Sequence, residues 1–192
     1  MSPLPRVLPL RDQPGQRLLS GIGAVRDVQV ETAPGERLLW MLQIVELRSA
    51  EGAASAPAGT RQLVAGLSGP QLSIRKPQGL VPLRRDRASE LETSAVLMRR
   101  PSSRPSGASR MLLLSYDAAE AAPSLAFHGL DGEHAFAGGT RVLIALEGEL
   151  SVDGQGVPPL SAAVLDPEHP VAVRAHGARF IAVRVTQPVG VR

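Results

Sequence analysis

The sequence predicts an all-β chain built as two small barrels or jelly rolls in tandem. Three observations lead there. Short apolar stretches recur along the whole length, each bounded by Gly, Pro or small polar residues. Helical periodicity is weak throughout. Finally, one strand–turn–strand unit occurs twice, as GTRQLVAGLSGPQLSI from Gly59 to Ile74 and as GTRVLIALEGELSV from Gly139 to Val152. Gly59/Gly139, Thr60/Thr140, Arg61/Arg141, Leu63/Leu143 and Ala65/Ala145 match at an offset of 80. After two one-residue slips, Gly69 meets Gly148, and Leu72-Ser73 meets Leu150-Ser151. Repetition of a whole supersecondary unit implies two copies of one module.

Along the chain, the first fifteen residues alternate Pro with apolar residues, as an edge strand or extended arm would. Ser20-Gly21-Ile22-Gly23 reads as a loop, and Val25 to Val30 as a strand. Ala33 to Glu36 is a turn. Leu38 to Leu47, apolar at nearly every position, reads as a strand buried on both faces. Ser49 to Pro57, rich in small residues, reads as a loop. Leu80 to Arg100 suggests two strands around a charged turn at Arg84 to Arg87, Pro101 to Arg110 a solvated connection, and Met111 to Asp117 a buried strand. Six short strands follow, around 125–128, 142–146, 150–152, 162–165, 171–175 and 180–185. The chain divides into an N-terminal half, 1–116, and a C-terminal half, 117–192, forming one compact unit of ordinary domain size.

Composition narrows the function. No apolar run approaches the roughly 20 residues that span a bilayer, and the N-terminus has no uninterrupted apolar segment, so a cytoplasmic protein is expected. The absence of cysteine removes disulfides, thiolate metal sites and cysteine nucleophiles. Of 21 cationic residues all but Lys76 are Arg, yet they are interleaved with Asp and Glu, the net charge is only +3, and aromatics are scarce. Nucleic-acid binders concentrate their charge on one face, so nucleic acid is not the expected partner. No Gly-x-Ser-x-Gly elbow and no Gly-rich phosphate loop is present.

RVLIALEGELSVDG followed by VLDPEHPVAVRA resembles the two core motifs of a cupin barrel. Counting back from Gly148, Arg141 takes the position of the cupin glutamate, Phe136 that of the second histidine and His134 that of the first; His169 falls where the second motif supplies a histidine. From Gly69 the same count gives Gln62, Pro57 and Ser55. A divalent ion needs three or four converging ligands. A guanidinium about 4 Å from such an ion costs on the order of 4 kcal/mol. No metal or other cofactor is therefore expected. An Arg in a barrel mouth suits a carboxylate or similar anion instead.

A fuller resemblance is to the HutD/Ves-like family of bicupins, associated with bacterial histidine utilisation and described as small-ligand-binding regulators rather than enzymes. Its early Trp-Lys-Asn-Gly-Gly-Gly-x-Thr-Arg-Glu-Ile motif aligns with Leu18 to Val28, its Trp-x-Leu-x-Ile strand with Trp40 to Ile44, and its Gly-Tyr-x-Arg…Leu-Glu-Gly strand with Gly59 to Gly69. Gly21, Gly23 and Arg26 are kept; Leu18, Leu19, Ser20 and Val25 replace polar family residues, Asp27 shortens the glutamate, and Gln62 stands for the strand arginine beside Arg61. The resemblance implies two tandem cupin-type barrels with little helix and no catalytic residue, binding a small anionic metabolite or serving as an accessory or regulatory protein, and it leaves room for a homodimer. The candidate ligand residues are Arg141, Gln62, Arg61, Asp27, Ser20 and His134. Two alternatives stand beside this reading: a metal-dependent cupin enzyme using His134 and His169, and an interaction module whose pockets have closed. The register of the first copy decides which side chain enters its barrel. If Gly66 is a bulge, Arg61 points inward; otherwise Gln62 does.

Overall fold

The computed structural model describes residues 4–10, 15–17, 23–48, 51–55, 57–91, 94–99 and 107–186, and every regular element among them is a β-strand. By contacts the chain forms two units, residues 14–120, and residues 1–13 together with 121–192. Strand β1 (Arg6–Pro9) belongs to the second of these, pairing antiparallel with residues 161–164. It lies at the sheet edge, where prolines cost no ladder bond. The expected edge strand is present, though by contact it sits with the C-terminal residues rather than with the first half.

The 14–120 unit has two sheets. One is ordered β2 (Gln16–Arg17), β3 (Gly23–Thr32), β4 (Leu38–Leu47), β11 (Ser109–Tyr116), β6 (Arg61–Ser68), β9 (Ser89–Leu91). The other is ordered β5 (Glu51–Ser55), β10 (Ser94–Arg99), β7 (Leu72–Lys76), β8 (Gly79–Pro82). Strand alternation sends Val45, Leu47, Val64, Met111 and Leu113 of the larger sheet to one face, where they meet Leu72, Ile74 and Leu97 of the smaller. Leu42, Ile44, Ala65, Leu112 and Leu114, on the other face, are buried as well. Burial on both faces explains why β4 and β11 read as almost continuous apolar runs.

Two sequence expectations change here. Glu51–Ser55, taken as a loop, forms β5 and pairs with β10 from Ser94↔Ser55 to Met98↔Glu51. Small residues carry little strand propensity of their own, and the neighbouring strand overrides it. The stretch 80–100 yields parts of three strands, and the charged turn at 84–87 lies where expected.

The unit of residues 1–13 and 121–192 has one sheet, ordered β1, β15 (Ser161–Val164), β13 (Thr140–Val152), β16 (Val171–Thr186), β12 (Ala122–Phe136), with β14 (Gln155–Val157) on β13. Of the six short strands expected from sequence, 162–165 is present as β15, 125–128 extends into β12, and the other four merge in pairs into β13 and β16; β12, β13 and β16 are long strands crossed by register slips. Glycines that resemble strand ends are sites of irregularity inside strands. Such slips are needed because side-chain direction has a period of two. Core residues of β13 switch from odd positions (Leu143, Ala145) to even ones (Leu150, Val152), and those of β16 from Val171, Val173 and Ala175 to Ala178, Phe180 and Ala182. Both strands switch where Gly148 (φ 74°) meets Gly177 (φ 53°). The slips therefore keep one apolar set on one core.

The two Gly-Thr-Arg copies open their strands alike. Gly59 and Gly139 have φ of 77° and 90°. Thr60 Oγ1 donates to Pro57 O at 2.8 Å, and Thr140 Oγ1 to Ala137 O at 3.4 Å. At the far end, Gly69 (φ 83°) and Gly148 each press against a backbone carbonyl; a Cβ would lie 2.3 Å from Ala108 O in one and 2.2 Å from Gly177 O in the other. Both spots demand glycine twice, for dihedral and for space.

Candidate functional site

In the 14–120 unit a polar band lies on the core-facing side of the larger sheet. Alternation along β4 puts Met41 and Gln43 on the face of Val45 and Leu47, and the register places Asp27 and Leu113 beside Gln43, Ser115 beside Met41, and Gln62 beside Ser115. Gln62 is 1% exposed and Ser115 fully buried; Gln62 Nε2 donates to Ser115 Oγ at 3.0 Å. Gln43 Nε2 donates to the exposed Asp27 Oδ1 at 2.7 Å. Amide and hydroxyl groups both donate and accept, so this band can hold a polar ligand group by hydrogen bonds.

The register question is settled for this strand. β6 runs unbroken against β11 from Arg61↔Tyr116 to Gly66↔Met111, and the slip comes only at Leu67, before Ser68↔Arg110. A bulge that far along does not turn Arg61 inward. Gln62 takes the inward position. Arg61 lies on the opposite face, its side chain 66% exposed and 3.8 Å from Glu90. Ser20 lies outside the described residues.

The other unit gathers an aromatic group around a histidine. His128 stacks on Phe180 with centroids 5.1 Å apart, Phe136 meets it edge-on at 5.1 Å, and the two Phe rings lie 5.7 Å apart. Burial, and then the neighbouring charge of His134, push the His128 pKa down. A depressed folded pKa means the unfolded chain binds the proton more readily. The contribution of His128 to stability is therefore complete at neutral pH and declines as pH falls below about 6.5. An NMR titration is expected to show His128 titrating below that ordinary value.

His134 and His169, the metal-enzyme candidates, are engaged separately. His134 Nε2 contacts Asp131 O at 2.9 Å, and His169 Nδ1 contacts Asp166 Oδ2 at 3.0 Å in a turn. Among the described residues no three His, Asp or Glu side chains converge as a metal would need. These donors do not fit a metal centre.

Arg141 sits at a register slip between Thr140 and Val142, half-buried, two residues before the core position Leu143. Its carbonyl accepts from Leu165 N at 2.9 Å, which ties it to the segment leading to Asp166. Asp166 is held below its ordinary pKa by the Glu168 backbone amide first, then, against desolvation, by His169 and the charge of Arg141. Arg141 thus lies half-buried within electrostatic reach of Asp166, which His169 also contacts. Trp40 is core, its Nε1 donating to Glu31 Oε2 at 2.8 Å.

Sequence reasoning missed a charge cluster. Glu46 is 3% exposed and accepts from Arg48 Nη2 at 2.9 Å and from Arg26 Nη1 at 3.4 Å; Arg110 Nε lies 3.4 Å away. The signal was a carboxylate inside the apolar run LLWMLQIVEL, since a buried charge needs partners.

No protein-family model matches the chain, and neither does any curated protein. Solved structures do. A conserved protein of unknown function from Pseudomonas aeruginosa PAO1 aligns with a TM-score of 0.72 at 21% identity, covering 94% of this chain and 98% of that one. HutD from Pseudomonas fluorescens SBW25, determined in a formate condition, gives a TM-score of 0.71 at 19% identity, covering 95% and 98%. A cupin 2 conserved barrel domain protein from Leptotrichia buccalis gives a TM-score of 0.55 at 12% identity, covering 96% and 97%. The protein has a cupin fold of the HutD-like kind.

Proposed function

We propose that this protein is a non-catalytic bicupin that binds a small organic anion and acts as an accessory or regulatory protein, as its likeness to HutD-type proteins suggests. The observation that carries this reading is the half-buried Arg141 at the position of the cupin carboxylate ligand, with its field felt at Asp166. A guanidinium there favours an oxyanion and disfavours a metal. The matched openings of the two Gly-Thr-Arg strands and the paired roles of Gly69 and Gly148 support two copies of one cupin module. In the 14–120 copy, Gln62, Ser115, Gln43 and Asp27 offer hydrogen bonds without a cation, so the anion is assigned to Arg141 within its own unit and not to Arg61. His134, on the same strand as His128, is assigned as a further ligand contact in that unit.

Thermal melts test the proposal. Formate, the condition named for the HutD structure, and larger carboxylates including histidine-pathway compounds are added in turn. At least one is expected to raise the melting temperature, and Arg141→Ala is expected to abolish the rise. Identical melting curves across the panel would count against the reading.

A further inference from the structure

A cavity of about 460 Å³ opens in the 14–120 unit at the end of β6 and β11 away from Gln62. Its apolar wall is Leu67, Leu72 and Leu83, and its charged wall is Arg84, Arg85 and Arg110, against one carboxylate, Asp86. We infer that this cavity is a binding site for a small organic oxyanion, a carboxylate or phosphate group carried on an apolar body.

The volume lies in the range of small-ligand sites, and the mix of an apolar wall with a few convergent polar groups is what such sites use. Three arginines line the cavity against one aspartate, and a bound anion would offset the repulsion among their charges. Their supports are built in. Gly66 N donates to Arg84 O at 3.0 Å and Leu83 N to Leu72 O at 2.8 Å, fixing the loop that carries Arg84 and Arg85 to the adjoining strands. Arg85 Nη2 also donates to Gly69 O. Arg110 is held from behind, through Nε, by the buried Glu46, which Arg26 and Arg48 share. Positioning the cations before the ligand arrives lowers the ordering cost of binding. Arg also presents a planar fork that matches carboxylate and phosphate edges. None of these residues is part of the Arg141 site, so this inference stands apart from the proposed function even though both ligands are anionic.

The test is calorimetric titration of the full chain at low ionic strength with sodium phosphate and, separately, sodium succinate. Because Arg84 and Arg85 are exposed, the double variant Arg84→Gln/Arg85→Gln is expected to fold, which its melting curve verifies. Wild type is expected to bind at least one probe, more weakly in 0.5 M sodium chloride, where charges are screened within roughly 4–5 Å. The double variant is expected to lose at least tenfold in affinity, while Arg174→Gln/Arg179→Gln, a charge-matched surface change in the other unit, loses nothing. A response to phosphate alone identifies a phosphate-bearing ligand, and one to succinate alone a carboxylate. Failure of both probes to bind wild type would overturn the inference, as would equal binding by the double variant. Binding lost in Arg141→Ala but kept in the double variant overturns it too, and leaves the proposed function standing.

Discussion

Replacing Gly148 by Ala is expected to destabilise the protein by about 3–5 kcal/mol. Two costs combine. An L-residue with a Cβ held at φ 74° costs about 1–2 kcal/mol. The new Cβ would also lie 2.2 Å from Gly177 O and 2.8 Å from Ala178 Cα, backbone atoms that cannot swing aside as a side chain can. Relief requires β13 to move from β16 where both strands exchange their inward parity. Gly69→Ala meets the same pair of obstacles at Ala108 and Ser109 and is expected to behave similarly. Gly154→Ala supplies the control, since it shares a positive φ of 81° but has nothing within 4 Å of the added methyl. Its expected cost is about 1 kcal/mol. Chemical denaturation of the three variants measures all of this. Equal losses at 148 and 154 would show that the close approach of the strands contributes nothing.

Glu46→Ala is expected to cost about 3 kcal/mol. Truncating one member of a buried ion pair leaves its partners desolvated and uncompensated, typically a loss of about 3–5 kcal/mol. The lower end applies because the Arg26 and Arg110 side chains keep 15% and 31% of their exposure. Arg48→Ala is expected to lose under about 1 kcal/mol, its side chain being 75% exposed. Acid unfolding gives a second readout. Burial alone would raise the Glu46 pKa, but the Arg48 hydrogen bond and the charges of Arg110, Arg26 and Arg48 outweigh it, and the group sits below its ordinary value. Since the folded pKa is depressed, the stabilisation is present above the unfolded value of about 4.3 and is lost as pH falls through the folded pKa. The wild-type acid limb is therefore expected to be steeper than that of Glu46→Ala. A variant with wild-type stability and an unchanged acid limb would remove Glu46 from any structural role.

The strand content of the fold was legible because local signals and tertiary pairing agree over most of the chain. The uniform run Leu38 to Leu47 reads as a strand because both of its faces are covered in its buried half. Elsewhere a local signal had two structural meanings. Gly148 and Gly177 read as strand ends, whereas they are the places where long strands slip register without stopping. Glu51–Ser55 has no strand signal of its own and becomes a strand only because β10 lies beside it.

The candidate sites were less legible, for a geometric reason. Sequence counting could state the choice between Arg61 and Gln62 but not resolve it, because the answer depends on where along β6 the slip falls. The partners of Glu46 come from β3, β11 and the residue just past β4, and the residues lining the cavity from three separated segments. No spacing within one stretch encodes such convergence. His169 fits a ligand motif by position, yet its turn gives it to Asp166.

A half-buried arginine at the cupin ligand position is proposed to make this protein a binder of organic anions. Calorimetric titration of the metal-free chain with the carboxylate that most raises its melting temperature tests that most directly. The expected result is saturable binding by wild type that Arg141→Ala weakens at least tenfold while its melting temperature stays close to that of wild type. Binding unaffected by Arg141→Ala, or binding that appears only when a divalent metal is supplied, would contradict it.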